Sequence, residues 1–421
     1  MREDQSRFRL LWASLRGDIR EDADFLFLGR SGRKFREPRF GEMIPAPPGT
    51  QFHYLPGRLA SGRSLRRGRT WQLDGRLAVA AVLPTGYART LLPAYERQED
   101  APTLPLFGYT ACAAVDGETW VAAIQTEDTF RWDPSQYDTP DLPRRIEALI
   151  KQFPKNRILP HLRRCALDYH CYTAQNTFYG RWEGAIPVSP ACNAVCIGCI
   201  SEQEPGRPPS PQERLDFVPT VEEIAELTVH HLQYDKDAMM SFGQGCEGEP
   251  TLQADLIARS IKAVRQKIKH GTLHLNSNAS NLRKLAPILE AGLDSIRVSL
   301  NSVNPTWYEA YYRPRNYTFA DVEASVRACR EAGLYISLNL LFFPGVNDLP
   351  DELDRLMGFI QRYRIDKVQM RNLNIDPEDY LLCLGDLPGN PTGIPVMIER
   401  LKDACPWLAI GNFSPPVSSR S

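Results

Sequence analysis

Along residues 221–373 short apolar runs alternate with amphipathic stretches. Apolar residues at helical spacing fill 221–234, 252–269, 282–291, 319–332 and 349–363. Between them stand the compact runs 238–243, 273–278, 295–300, 335–343 and 367–373. Short buried strands that alternate with amphipathic helices predict a parallel sheet, because each crossover returns the chain to the same end. With the apolar run 185–190 in front, the count is six βα units, short of the eight that close a full barrel. The pattern predicts an α/β fold, an open (β/α)6 partial barrel over residues 185–412, with a tail at 413–421.

The first part of the chain follows a different pattern. The runs 24–29, 77–83 and 119–124 are separated by Pro and Gly turns, and Pro45-Ala-Pro-Pro-Gly49 marks a rigid turn or an edge. These features predict a β-rich N-terminal domain over residues 1–140. Leu142, Ile146, Leu149, Ile150 and Phe153, then residues 159–172, keep helical spacing and predict a helical bridge over 141–184. No internal repeat or low-complexity tract stands out.

Composition narrows the function classes. A chain of 421 residues with 43% hydrophobic content can bury a large core and form two domains. A net charge of −1 argues against a general polyanion-binding surface and leaves a nucleic acid partner little support. No apolar stretch is long enough to cross a bilayer, and Met1–Arg7 lacks the apolar core of a signal peptide, so a cytoplasmic protein without a membrane partner is expected. Ten cysteines at irregular spacing do not make a disulfide framework. Cys112, Cys165, Cys171, Cys329, Cys383 and Cys405 are expected as small buried hydrophobes.

Three further cysteines stand apart. Cys192, Cys196 and Cys199 have a C-x3-C-x2-C spacing just after the run that ends the first strand. Soft thiolates so close together fit an iron–sulfur cluster or zinc. Structural zinc sites generally close four ligands, whereas this loop supplies three. A four-iron cluster held there would keep one iron open for a small ligand.

This loop at the start of a βα array resembles that of the radical S-adenosylmethionine (SAM) superfamily. The resemblance implies a [4Fe-4S] cluster on the three cysteines, its open iron chelated by the amino and carboxylate groups of SAM. It further implies reductive cleavage of SAM to methionine and a 5′-deoxyadenosyl radical that abstracts hydrogen from a substrate. An electron donor such as flavodoxin or ferredoxin is then required. Most members carry an aromatic residue just before the third cysteine; here it is Gly198.

The strand ends supply a polar set. Gly243-Gln-Gly-Cys-Glu-Gly-Glu-Pro250 resembles the family's Gly-Gly-Glu-Pro segment, which implies that Gly245, Gly248 and Glu249 hold the SAM amino group, with Cys246 and Glu247 as an insertion. Polar residues at the next two strand ends contact the SAM carboxylate and ribose in relatives, so Asn276, Asn278, Ser299 and Asn301 carry over as cofactor contacts. Asn339 joins them from the fifth strand, ahead of Phe343-Pro-Gly-Val-Asn-Asp348, which is similar to a segment of glycyl-radical-enzyme activases and the wybutosine-forming enzyme. Arg371, at the end of the sixth strand with Gln369 and Asn372, is a cation able to grip a carboxylate or phosphate. Cys246, in the loop expected to face SAM, is a candidate to return a hydrogen atom to a substrate radical.

Two clusters have alternative readings. Arg58, Arg63, Arg66, Arg67 and Arg69 crowd one Gly/Ser-rich stretch, read as a solvated surface loop or as a site for substrate phosphates. Cys165, His170 and Cys171 are either a buried structural segment or a second metal site. The C-terminal segment has no cysteine-rich block, so a single cluster is expected. The substrate is not legible, and the rival reading is a non-enzymatic iron–sulfur or zinc module that recruits a partner through the N-terminal domain.

Overall fold

The computed structural model describes residues 8–417. The expectation for Met1–Arg7 and the end of the 413–421 tail lie outside the described residues. Residues 9–125 form an antiparallel sheet of eight strands, in the order Tyr95–Arg97, Gln51–Ser64, Ile19–Leu26, Arg9–Ala13, Thr70–Val82, Tyr109–Val115, Glu118–Val121 and Ile44–Pro45. The two longest strands, Gln51–Ser64 and Thr70–Val82, also pair directly, so the sheet closes on itself around the apolar side chains of Leu55, Leu73 and Tyr109. Ile44–Pro45, at the start of the Pro-rich segment, sits at an edge, where the missing proline N–H costs nothing.

The arginine-rich stretch is the last half of one long strand and the turn into the next, not a loop. Its guanidiniums diverge. Arg58 is fully buried and pairs with Asp376 at 2.6 Å. Arg63 meets Glu37, Arg66 meets exposed Asp24, and Arg67 and Arg69 lie over the Trp71 ring.

The bridge consists of helices α1 (Leu142–Gln152), α2 (Ile158–Leu167) and α3 (Tyr172–Tyr179). The helix expected over 159–172 is therefore two, broken where His170 takes a positive φ of 49°. Arg157 grips Glu223 through two bonds of 2.8 Å, and Glu223 also closes a capping box with Thr220. One carboxylate thus anchors the bridge and starts the next helix.

From there strands and helices alternate. Strand β1 (Glu183–Ile186) leads through a long excursion to α4 (Val221–Leu232), β2 (Met239–Phe242), α5 (Ala254–Lys267), β3 (Thr272–Ser277), α6 (Leu282–Glu290) and β4 (Ser295–Leu300). Helices α7 (Pro305–Tyr312) and α8 (Phe319–Glu331) precede β5 (Tyr335–Phe342), then α9 (Pro350–Tyr363), β6 (Lys367–Asn372), α10 (Pro377–Leu384), α11 (Ile394–Ala404) and β7 (Ala409–Gly411). All seven strands are parallel and in sequence order. The seventh strand exceeds the six expected; three residues are too few to register as a periodic run.

The sheet is bent toward its own interior. Ser414, just after β7, bonds to Gln369 on β6 at 3.0 Å and to His274 on β3 at 3.3 Å. The antiparallel sheet packs across the carboxyl ends of the late strands. Arg89 is buried and donates to the carbonyls of Tyr109 and Leu373, while Asn372 accepts from the Arg89 N–H and donates to the Tyr87 carbonyl. Arg30 and Tyr95 both bond to Glu378. Breaking one partner of a buried pair such as Arg58–Asp376 costs about 3–5 kcal/mol, so this contact ties the two sheets together.

Candidate functional site

A cavity of about 570 Å³ opens at the carboxyl ends of the parallel strands. Cys192, Cys196 and Cys199 form part of its wall. Their loop is clamped on both sides. On one side Val195 and Ile197 donate to the carbonyls of Tyr312 and Tyr311 at the end of α7. On the other, Gly248 and Glu249 donate to Ser189 and Ala191. A Cβ on Gly248 would stand 2.0 Å from the Ala191 carbonyl oxygen, and one on Gly243, at φ 80°, 1.9 Å from that of Asn276. Glycine at these positions is what lets the loop after β2 lie against both the cysteine loop and β3.

Gly198 also has a tertiary explanation. A Cβ there would meet the Tyr311 hydroxyl at 2.7 Å. The glycine thus makes room for the Tyr311 side chain from α7 beside the third cysteine.

The three thiols suit a shared positive centre. Burial, with Glu249 nearby, pushes Cys192 up to about 11, and burial with the charges of Cys199 and Cys192 pushes Cys196 up. Arg214 donates to Cys199 Sγ at 3.6 Å. Burial thus favours the protonated thiols of Cys192 and Cys196, and a bound cation would make all three sulfurs its ligands.

The structure brings most of the expected residues together. Gly245, Gly248 and Glu249 line the cavity beside the cysteines; Asn276, Asn278, Ser299, Asn339 and Arg371 line it from β3 to β6. Several are already engaged. The Glu249 carboxylate accepts from the Thr251 N–H and hydroxyl, the Ser277 hydroxyl and the Asn278 N–H, at 2.6–3.0 Å. Asn278 also donates to Asn193 of the cysteine loop, and Asn276 bonds to His274 and the Gly243 carbonyl. These side chains therefore build the wall as well as face the cavity.

Asn301 and Cys246 lie elsewhere. Asn301 is fully buried, donating to the Trp307 carbonyl and the Tyr380 hydroxyl, and its own carbonyl accepts from Asn347, so it fastens loops behind the wall. Cys246 points away from the cavity toward Cys165 and His161 on α2, since the two residues after Gly245 turn the chain backward. Glu247 drives that turn: its carboxylate accepts from the N–H groups of Val188, Ser189, Gly243 and Gln244 and staples the end of β1 to the end of β2. His170 is exposed and bonds to Asp138, outside any ligand cluster.

Arg297 was not among the expected residues. It lies on β4 with Ser299, both facing inward with Asn339 on β5 and Gln369 and Arg371 on β6. Arg297 donates to Gln369 Oε1 at 3.0 Å, and Arg371 reaches the same oxygen at 3.5 Å. Among the described residues neither forms an ion pair. Burial lowers both, Arg371 to about 10 with Arg297 repelling it, while Glu183 acts on both from a distance. The signal was present in Ser295-Ile-Arg-Val-Ser-Leu300, where polar residues at every second position show that one face of a buried strand is not packed.

Two rims complete the cavity. Tyr311 and Tyr312 close it near the cysteines, the Tyr312 hydroxyl buried without a partner among the described residues. Val82, at the end of the strand Thr70–Val82, and Pro84 and Tyr87 just after it line the other rim.

Residues 186–360, from the end of β1 into α9, match the family model of the radical SAM superfamily. A probable GTP 3′,8-cyclase of Methanosarcina mazei is 28% identical over 205 residues, 46% of this chain and 55% of that protein. The GTP 3′,8-cyclase of Chlorobaculum tepidum is 25% identical over 228 residues, 53% and 62% of the two chains. A probable GTP 3′,8-cyclase of Methanococcus aeolicus is 32% identical over 184 residues, 42% and 56%. The chain thus spans little more than half the length of these relatives. Among solved structures, the [FeFe]-hydrogenase maturase HydG aligns with 66% of this chain and 64% of its own at 14% identity and a TM-score of 0.37, a likeness too slight to argue from. Among the described residues no helix is long and apolar enough to cross a membrane. The family match falls on the segment that carries the three-cysteine loop and the first five strand ends, and in that segment the chain is similar to enzymes of the radical SAM superfamily.

Proposed function

We propose that this chain cleaves SAM at a [4Fe-4S] cluster held by Cys192, Cys196 and Cys199, and directs the resulting radical at an anionic substrate held by Arg297 and Arg371. The observation that carries the reading is the pairing, in one cavity, of three convergent cysteines with two half-buried guanidiniums that share a neutral glutamine. When bound, cluster and SAM together supply a 5′-deoxyadenosyl radical, which is hard chemistry the side chains do not have to perform.

What the side chains do is bind, orient and exclude water. The open, curved sheet is the partial barrel of the family, with the mouths of its strands aimed at one point. Gly245, Gly248 and Glu249, with Asn276 and Asn278, shape the side next to the cysteines, where SAM would lie. Ser299 and Asn339, neighbours in register on β4 and β5, supply donors and acceptors on the floor. Arg297 and Arg371 attract a carboxylate or phosphate, whose charge would replace the missing counter-ion. The antiparallel sheet is the cover that keeps solvent from a radical. A one-electron donor such as flavodoxin or ferredoxin is required, and a reducing, cytoplasmic setting suits ten free cysteines.

The substrate class rests on the arginine pair rather than on the relatives' names, because the similarity leaves much of both chains uncovered. GTP is one phosphate-bearing candidate. The test is anaerobic reconstitution followed by a 5′-deoxyadenosine assay with dithionite and SAM, alone and with a panel of carboxylates and phosphates that includes GTP. Release of 5′-deoxyadenosine that rises with an anionic compound is expected; a cluster-loaded protein that forms none would overturn the proposal.

A further inference from the structure

Behind the wall of the cavity a second set of soft ligands converges. His161, Cys165 and Cys246 each bring one donor atom to a place where all three lie within 4.8 Å of one another. His161 and Cys165 are four residues apart on α2 and so project from one face of the helix. Cys246 reaches them from the loop after β2, far away along the chain. His161 Nε2 and Cys165 Sγ are 3.7 Å apart, about the separation of two ligands on one tetrahedral ion with bonds of about 2.0–2.3 Å. Cys165 and Cys246 are buried and His161 half-buried, so the donors face each other rather than water.

Cys171 lies beside this group, its N–H donating to the Cys165 carbonyl at 2.9 Å. This group is distinct from the loop at the cavity. The charges felt at Cys246 come from Cys165, Cys171 and Glu247, while those felt at Cys196 come from Cys199, Cys192 and Arg214.

We infer that His161, Cys165 and Cys246 bind a single zinc ion, which pins the bridge helix to the back of the loop whose front lines the cavity. The donors suit zinc, for which two thiolates and an imidazole are common ligands. They do not suit a second four-iron cluster, whose thiolates sit on different irons and stand farther apart. The position gives the ion a structural role, because the same loop carries Gly245, Gly248 and Glu249 on its other side, and its backbone at Cys246 accepts from Leu215. The sulfurs give up to solvent whatever protons they still hold as the ion binds, and no oxidant or reductant takes part.

The experiment is elemental analysis of the full chain purified anaerobically, beside two variants. In Cys192→Ala/Cys196→Ala/Cys199→Ala, iron should vanish while one zinc per chain remains. In Cys165→Ala/Cys246→Ala, zinc should vanish while iron remains. As insurance against misfolding of the second variant, the triple variant is loaded with cobalt(II) and compared with a version that also carries His161→Ala or Cys246→Ser. The tetrahedral cobalt bands should be present in the first, and their thiolate-to-cobalt intensity should fall with Cys246→Ser, which leaves one thiolate ligand. Zinc content that is unaffected by Cys165→Ala/Cys246→Ala, failure of the wild-type chain to take up zinc in anaerobic titration, or a cobalt spectrum unmoved by both single substitutions would each overturn the assignment.

Discussion

The chain has two groups of cysteines, and they differ in nearly every physical respect. Cys192, Cys196 and Cys199 come from one loop, are half-buried, and border a cavity of about 570 Å³. Cys165 and Cys246 come from different elements, are buried, and with His161 bring one donor atom each to within 4.8 Å of one another. The open set borders a cavity where a ligand can react; the closed, buried set faces the packing between α2 and the loop after β2, so an ion there would hold the two together. The difference lies in how the chain enters each site, because a loop can splay three thiols around a wide opening, whereas a helix face and a returning loop press theirs together.

The largest effect expected from breaking this contrast is on the open set. Replacing Cys192, Cys196 and Cys199 together with Ala should abolish the brown chromophore, the iron and all 5′-deoxyadenosine formation. The fold should persist, because the loop is also held by backbone bonds from Gly248, Glu249, Val195 and Ile197. Circular dichroism and an unfolding curve near wild type, with no iron, are the check.

Emptying the closed set should act on stability instead. An ion that binds only the folded chain stabilises it by about 2.7 kcal/mol when its concentration is a hundred times its dissociation constant. A strong chelator should therefore lower the melting temperature of the wild-type chain and leave that of Cys165→Ala/Cys246→Ala unmoved. Equal shifts in both would mean that the chelator acts at some other place.

The same contrast explains what could be read in the sequence. The open set was legible because its information is local: three cysteines within eight residues, followed by alternating strands and helices. The strand-end residues Asn276, Ser299, Asn339 and Arg371 were legible for the same reason, since a strand's carboxyl end can be located by periodicity. The closed set was not, because His161 and Cys165 become neighbours of Cys246 only through folding. The sequence instead suggested His170, which a left-handed turn carries to Asp138. Cys246 itself was assigned to the wrong side of its loop, because the Glu247 staple that turns it is made with Val188 and Ser189. Arg58 was read as a surface residue for lack of any sign of Asp376, far downstream.

A smaller effect separates the cavity's charge from its cluster. Arg371→Gln and Arg297→Gln each remove a cation while keeping a polar side chain in place. One charge-assisted hydrogen bond to substrate is worth about 1.5–3 kcal/mol, or about tenfold to somewhat over a hundredfold in binding. The KM for an anionic substrate should rise by that factor, with iron content and uncoupled SAM cleavage unchanged. Wild-type KM in both variants would move the anion site elsewhere.

The smallest effect tests how tightly the open set is packed. The Tyr311 hydroxyl lies 2.7 Å from where a Cβ of residue 198 would be, and the Asn374 carbonyl 3.3 Å away, so Gly198→Ala must displace the tyrosine. Overpacking of this kind typically costs about 1–3 kcal/mol. Tyr311→Phe removes the nearer atom but leaves the ring that shields the loop, so by itself it should alter cluster content little. Combined, the two substitutions should cost less than their sum, because the phenylalanine leaves space for the new methyl group while the carbonyl needs to give by only a few tenths of an ångström. A double-mutant cycle on melting temperature and on the rate of cluster loss in air measures that coupling. Strict additivity would mean that Tyr311 does not occupy the space beside Gly198, and that the loop before its third cysteine is covered by something else.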